Sequence, residues 1–276
     1  MGDLTTLALG PEEFWVSGSG YLQNWHLRWF AQHAGAEARI DNLSDGYAGI
    51  ALSGPRARAV LERLTAEDVS NAGFPFMSVR RMDIALAPAI VARLSVSGEL
   101  GYELYVPSMH MGALSRAVER ASAAQEGRWI GMYALNSLRL EKGFGIWSRE
   151  FSRDYTPRMS GLDRFVDYSK PEFIGRAAAL EDREREPERV LVTLAIDAER
   201  ADAAGYEPIF RGREYVGYTT SGGYGHCAGT SLAMGYVSTA AAAAGGEFSV
   251  ALLGESRPAR LLPQASIDPA GERMRG

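Results

Sequence analysis

Four stretches of the chain repeat apolar residues at helical spacing. "YLQNWHLRWFAQHAG" gathers Leu22, Trp25, His26, Trp29, Phe30 and His33 on one face, with Gly35 placed to stop it. "SGPRARAVLERLT" opens on the start signals Ser53 and Pro55 and turns Ala59, Val60 and Leu64 inward. "MHMGALSRAVERASAAQEG" and "MYALNSLRLEKG" are predicted as the third and fourth helices, the last closed by Gly143. Elsewhere the period drops to two. In "SVSGELGYELYVP", Tyr102, Leu104 and Val106 point one way while Glu103 and Tyr105 point the other. "AIVARLSV" upstream reads as a strand, and the glycines of "SGELG" allow a tight connection. The result is a hairpin that carries an acid and a phenol on one face. Spacing alone makes Glu103 a solvated side chain on a half-exposed strand.

From Ala177 to Arg189 the pattern gives way to "AAALEDREREPER", a solvated helix end and linker, taken as a domain boundary. Beyond it "RVLVTLAI", "YEPIFRGREYVGYTTSG", "TSLAMGYV" and "EFSVALLG" are short strands separated by turns, which predict a small β-barrel or sandwich. "AAAAAGG", from Ala240 to Gly246, reads as a connector between strands. Helices and strands interleave without a βαβ rhythm, so the class is α+β, with domains at 1–180 and 188–276.

Composition narrows the function classes. The 276 residues are 46% hydrophobic and 23% charged, as in an ordinary soluble globular protein. A net charge of -5 points away from nucleic acid and anionic membranes as partners. No apolar run approaches the roughly 20 residues that span a bilayer, and "MGDLTTLALG" lacks the basic start of a secretory signal. One cysteine, Cys227, excludes internal disulfides and fits a reducing cytoplasm. His26, His33, His110 and His226 are scattered, and none sits at zinc-ligand spacing with Cys or Glu, so no metal is expected. Cys227 has no evident base to activate it, because the side chain of adjacent His226 points the other way in a strand. "GSG" at Gly18 and "SGGYG" at Ser221 do not open a βαβ unit and are not dinucleotide fingerprints.

Several blocks go further. "SGELGYELYVP", "YALNSLRLEKGFGIW", "KPEFIGRAAAL", "TTSGGYG", "SLAMGYV" and "DPAGERMRG" occur in an order that resembles the tetrahydrofolate-dependent aminomethyltransferase family of the glycine cleavage system. The likeness is strongest to the C-terminal folate half of dimethylglycine and sarcosine dehydrogenases, covers essentially the whole chain and includes "FWVSGSG" near its start. It implies a folate-binding α+β body followed by a small C-terminal β-barrel, tetrahydrofolate as cofactor, and a small amine or other one-carbon donor as substrate.

The resemblance also assigns residues. Glu103 falls on the glutamate that grips the pterin ring. A carboxylate suits that task because the ring N3–H and the 2-amino group are parallel donors that a carboxylate accepts as a fork. Thr5, Leu104 and Tyr105 fall on cofactor-binding positions, and Asp3 on the catalytic aspartate that steadies an iminium or moves a proton. Relatives carry more folded polypeptide before that aspartate, and the flavin branch a whole oxidase domain. Three explanations stay open: a second polypeptide or second copy completes the wall beside Asp3, the true start lies upstream, or this member no longer performs the reaction. Val96 and Arg164 stand where the dehydrogenase branch has tyrosines, and Met159 where the family has an acid. These departures keep two other readings in play, an enzyme of this fold acting on another aromatic or cationic molecule, and a non-catalytic binding or assembly protein. The iron-sulphur-linked relatives carry "KGCYxGQE" where this chain has "YSKPEFIGRAA", which argues against that group. Arg139, flanked by leucines in "SLRLE", is expected to be a buried strut.

Overall fold

The computed structural model describes residues 2–276, which divide by packing into two compact units, 2–135 with 270–276, and 136–269. The first unit is built on a four-stranded antiparallel sheet. Its strands are β3 (Tyr47–Ser53), β4 (Val79–Ile84), β5 (Ala87–Ala92) and β6 (Gly101–Pro107), in the order β3-β6-β5-β4. Before them stands a separate two-stranded hairpin, β1 (Thr5–Gly10) and β2 (Glu13–Ser17), followed by helix α1 (Gln23–His33). Helices α2 (Ala57–Leu61) and α3 (Met111–Ala123) cover one face of the four-stranded sheet. There Ile50, Val91, Tyr102, Leu104 and Val106 meet Leu61, Leu114 and Val118 in the main core of this unit.

The alternation in "GYELYVP" survives folding, because one face of the sheet must be dry. Tyr102, Leu104 and Val106 are buried, while Glu103 and Tyr105 are half-buried on the opposite face. The turn before β6 is tied by its serines. Ser95 Oγ accepts from the Gly98 amide at 3.0 Å and donates to the Glu99 carbonyl at 2.5 Å. Gly98 takes φ +84, a left-handed backbone that suits glycine. The strand expected over "AIVARLSV" ends at Ala92. Arg93, wholly buried, turns away to donate to the Phe74 carbonyl at 2.7 Å.

Helix α1 buries only His26, and Trp25 and Trp29 remain nearly half exposed, so its aromatic face is not the core stripe that its spacing suggested. In α2 the buried residues are Ala57, Val60 and Leu61, Ala59 is half-buried, and Leu64, just after the helix, packs partly buried against the same core.

In the second unit, β7 (Arg189–Ile196), β8 (Pro208–Arg211), β9 (Glu214–Gly225), β10 (Thr230–Ser238), β11 (Phe248–Leu252) and β12 (Glu255–Leu262) close into a six-stranded barrel of order β10-β7-β12-β11-β8-β9. Closure removes the edges that a sandwich would leave. It also decides between the two architectures that the strand pattern allowed. Leu194, Ile209, Val237, Phe248 and Val250 fill the interior. The other face of β10 presents Leu232 and Met234 to Leu140 of α4 (Met132–Glu141). Strand β12 has no counterpart among the expected strands. "ESRPARLL" alternates weakly, and it is held by pairing with β7 and β11. The expected connector at Ala240–Gly246 is helical over Thr239–Ala244 (α6, preceded in the chain by α5, Arg176–Arg183), with Ser238 Oγ accepting from the Ala241 amide as its N-cap. A run of alanines between a serine and two glycines is a good short helix.

The packing division lies far upstream of the charge run at 177–189. From Asn136 onward α4 joins the barrel unit, where Asn136 Nδ2 donates to the Gly222 carbonyl at 3.2 Å and Ser137 Oγ to the Tyr224 carbonyl at 2.8 Å.

Candidate functional site

The residues singled out by the sequence gather partly on the open face of the first unit's sheet. Glu103 and Tyr105 stand side by side on β6, and the Tyr105 hydroxyl donates to Glu103 Oε2. Their cross-strand neighbours are small on one side: Ala51 and Gly49 of β3 oppose Glu103 and Tyr105, and Ala92 of β5 also opposes Glu103. A side-chain carbon added at Gly49 would come within 3.1 Å of the Tyr105 ring, so the ring packs close to the bare glycine backbone. Trp15 of β2 completes an aromatic corner. Its ring lies 5.4 Å from Tyr105 and 4.9 Å, edge-on, from Tyr47. Burial, and then the hydrogen bond to Glu103, push the Tyr105 phenol up to about 12. It therefore stays protonated and able to donate at any ordinary pH.

The hairpin brings the N-terminal candidates to this corner. Thr5 pairs with Ser17, and Ser17 Oγ donates to the Tyr105 hydroxyl at 3.4 Å. Asp3, two residues before β1, is exposed, as is Thr5. Leu104 is fully buried on the opposite face of the sheet, so its side chain belongs to the core and only its backbone can meet a ligand on the Glu103 face. Val96 is 47% exposed in the loop between β5 and β6. Arg164, in the second unit, is exposed on a short turn with its guanidinium 4.8 Å from the Phe165 ring centre.

An open groove of about 590 Å³ lies beyond the aromatic corner, lined by Trp15 and Tyr47 and by five acids against two arginines. Glu103 and Tyr105 lie outside that lining. Its excess of negative charge disfavours anionic ligands.

The second unit has a polar centre that spacing did not reveal. Glu150, wholly buried, accepts from Arg139 Nη1 and from the Ile146 amide, both at 3.0 Å, on one oxygen. On its other oxygen it accepts from Thr220 Oγ1 at 2.6 Å and Ser221 Oγ at 2.5 Å. Consecutive residues of a strand ordinarily point apart. Here a bulge in β9 opposite Met234 and Gly235 lets both hydroxyls reach one carboxylate. Arg139 also donates to Asn136 Oδ1 at 2.8 Å and the Phe144 carbonyl at 3.2 Å. Burial pushes its guanidinium down from its ordinary value and Glu150 pulls it back. All three guanidinium nitrogens of Arg139 donate, and each Glu150 oxygen accepts two donors, which is the arrangement of a structural tie. Cys227 is exposed in the turn between β9 and β10. Among the described residues no group of three or more His, Cys, Asp or Glu could hold a metal, and no helix is long and apolar enough to cross a membrane.

Comparison with known proteins fits this two-part layout. Residues 1–170 match the GCVT N-terminal domain and residues 189–268 the glycine cleavage T-protein C-terminal barrel domain. The chain belongs to the glycine cleavage T-protein family. It is 35% identical over 279 aligned residues to mitochondrial dimethylglycine dehydrogenase of Mus musculus, a match covering 99% of this chain and 32% of that protein. It is 31% identical over 238 residues to an aminomethyltransferase of Listeria monocytogenes, covering 86% of this chain and 64% of the relative. The crystal structure of glycine cleavage system aminomethyltransferase T from Bartonella henselae superposes with a TM-score of 0.82 at 26% identity, over 98% of this chain and 73% of that one. The chain thus spans about a third of the length of the dehydrogenase it matches. The T-protein family's two family models leave a gap at 171–188, which contains most of the charge run, whereas packing places the division at 135/136.

Residues missed by sequence reasoning are Ser17, Trp15 and the small pair Gly49 and Ala51. "YAGIALS" did carry a signal, since small residues alternate there with Ile50 and Leu52.

Proposed function

We propose that this chain is a folate-dependent one-carbon transferase unit, passing a methylene or methyl group from an N-methylated amine or its iminium to tetrahydrofolate. The observation that carries this reading is the Glu103 carboxylate. It is steered by a phenol on a sheet face where Glu103 is opposed by Ala51 and Ala92 and Tyr105 by Gly49 and Ile90, in a chain of the T-protein family.

The donor set fits a pterin. Tyr105 occupies one site on Oε2, which leaves Oε1 and a second lone pair on Oε2 for the paired N–H donors of the ring. On the β3 side the exposed Gly49 and Ala51 leave room for a flat ring beside the Tyr105 ring. Tetrahydrofolate supplies the nitrogen, N5, that accepts the one-carbon unit. Glu103 binds and orients the ring, Tyr105 holds Glu103, and Thr5 forms part of the wall. The Asp3 carboxylate takes up or returns a proton, or faces the cationic donor as a fixed negative charge.

Asp3 and Thr5 are exposed, and β1 and β2 pair only with each other among the described strands. This supports a further polypeptide or a second copy closing the wall beside Asp3, because a catalytic carboxylate acts best when held and shielded from water. The single cysteine suits a reducing compartment such as the cytoplasm. Isothermal titration of the purified chain with tetrahydrofolate tests the reading. Binding is expected, and no binding by a folded chain would favour a repurposed member of the family.

A further inference from the structure

The structure assigns Ser17 and Tyr105 a role as positioning residues that fix the Glu103 carboxylate to the hairpin carrying Asp3, so that the two ends of the site are set together. The inference rests on Glu103 being the ligand anchor.

Glu103 and Asp3 stand on pieces of structure that share no main-chain ladder. Glu103 lies on β6, an inner strand of the four-stranded sheet, whereas β1 and β2 form a sheet of their own. A two-stranded ribbon is marginal in water by itself. This one is held at its turn end by an exposed Arg81–Glu13 ion pair, a weak kind of tie. Along its length Leu7, Leu9 and Trp15 pack on Val79, Ile90, Ala92 and Tyr105. Those contacts are apolar and set distance rather than direction. At the end next to Asp3, the directional tie is the chain from Ser17 Oγ to the Tyr105 hydroxyl to Glu103 Oε2. Ser17 lies opposite Thr5 in the ladder, so whatever fixes Ser17 fixes the start of β1.

The chain has one polarity. A phenol has a single proton and here gives it to the carboxylate, so the serine hydroxyl donates to the phenol oxygen. Both donors then point toward the anion and polarise each other in the same sense. The relay is strongest when Glu103 is ionised, which is the form that accepts the paired donors of a ligand. Because the Tyr105 phenol is held protonated well above neutral pH, the link does not open in the range where the protein works.

The test combines ligand-free and liganded measurements on wild type, Tyr105→Phe, Ser17→Ala and Ser17→Thr, each checked for intact folding by circular dichroism. In ligand-free protein, the Glu103 side-chain carboxyl carbon is observed by NMR, with Glu103→Gln to assign its signal. Tyr105→Phe is expected to move its chemical shift, because the carboxylate loses a hydrogen-bond donor, Ser17→Ala to move it less in the same direction, and Ser17→Thr to restore it. Hydrogen exchange of the β1 and β2 amides should rise several-fold in Ser17→Ala and return in Ser17→Thr. With tetrahydrofolate, Tyr105→Phe should weaken binding roughly tenfold, as for loss of one hydrogen bond to a charged group. Ser17→Ala should leave affinity within about threefold, a change smaller than one ordinary hydrogen bond, while turnover falls further. An unmoved Glu103 carboxyl signal in Tyr105→Phe, or unchanged hairpin exchange in Ser17→Ala, would overturn the assignment. Wild-type protein that bound no tetrahydrofolate would sink the folate reading instead, and the ligand-free measurements would still decide the relay.

Discussion

Arg139 donates to Glu150 across 3.0 Å with the two side chains 3% and 0% exposed. An ion pair that dry survives only because its remaining donors and acceptors are met, by Asn136, Thr220, Ser221 and the Ile146 amide. Arg139→Met would leave Glu150 buried and charged, a loss of about 3–5 kcal/mol. The melting temperature is expected to fall by on the order of 10 °C, with tetrahydrofolate affinity in the folded protein little changed. Calorimetry and binding measured together check this. A large affinity loss with unchanged melting would move Arg139 into the ligand site.

Glu103→Gln keeps the size of the anchor and replaces one acceptor oxygen with a donor. Tetrahydrofolate binding should weaken by about 1.5–3 kcal/mol, the range for hydrogen bonds to a charged group, measured by isothermal titration. Unchanged affinity would remove Glu103 from the site.

Asp3→Asn removes charge from an exposed side chain that lies before β1, outside the four-stranded sheet. Turnover is expected to fall at least about a hundredfold, the scale of a lost acid–base group, while affinity for tetrahydrofolate stays near wild type. Steady-state kinetics of the protein with its completing partner, alongside titration, separate the two. A variant that retained full turnover would show that the carboxylate has no part in the chemistry.

Alkaline pH should weaken the fold in a defined window. Burial raises the phenols of Tyr105 and Tyr236 to about 12, from an ordinary value near 10. Each folded state thus keeps its proton after the unfolded chain has lost it. The stability from this source is complete below about pH 10 and declines as pH rises through about 12. Denaturant midpoints at several alkaline pH values should show the decline, and Tyr105→Phe should make it shallower. A midpoint independent of pH across that window would contradict the burial of these groups.

Cys227→Ser should leave turnover intact, because the sequence offers this exposed thiol no evident base to activate it. Glu141→Gln should cost more stability. Its Oε1 accepts the Cys227 and Ala228 amides at 2.6 and 2.9 Å and so holds the β9–β10 turn. Equal melting shifts in the two variants would refute this contrast.

The sequence by itself determined what depends on local period and on recurring blocks. The alternation around Glu103, the helix ending at Gly143 and the strands β7 to β11 all follow from which side chains must face a dry core, and that demand is written at spacings of two and three to four. The glycines and serines of "SVSGELG" likewise announced the turn before β6. Packing between distant segments decided the rest. Whether the barrel closes depends on β9 meeting β10 and on β12, whose pattern is too weak to be read alone. The two hydroxyls on Glu150 depend on a bulge, which breaks the rule that strand reading assumes. Ser17 lies 88 residues from Tyr105 in the chain. No spacing rule reaches across that distance, and the contact exists only because an apolar hairpin face and an open sheet face cover each other.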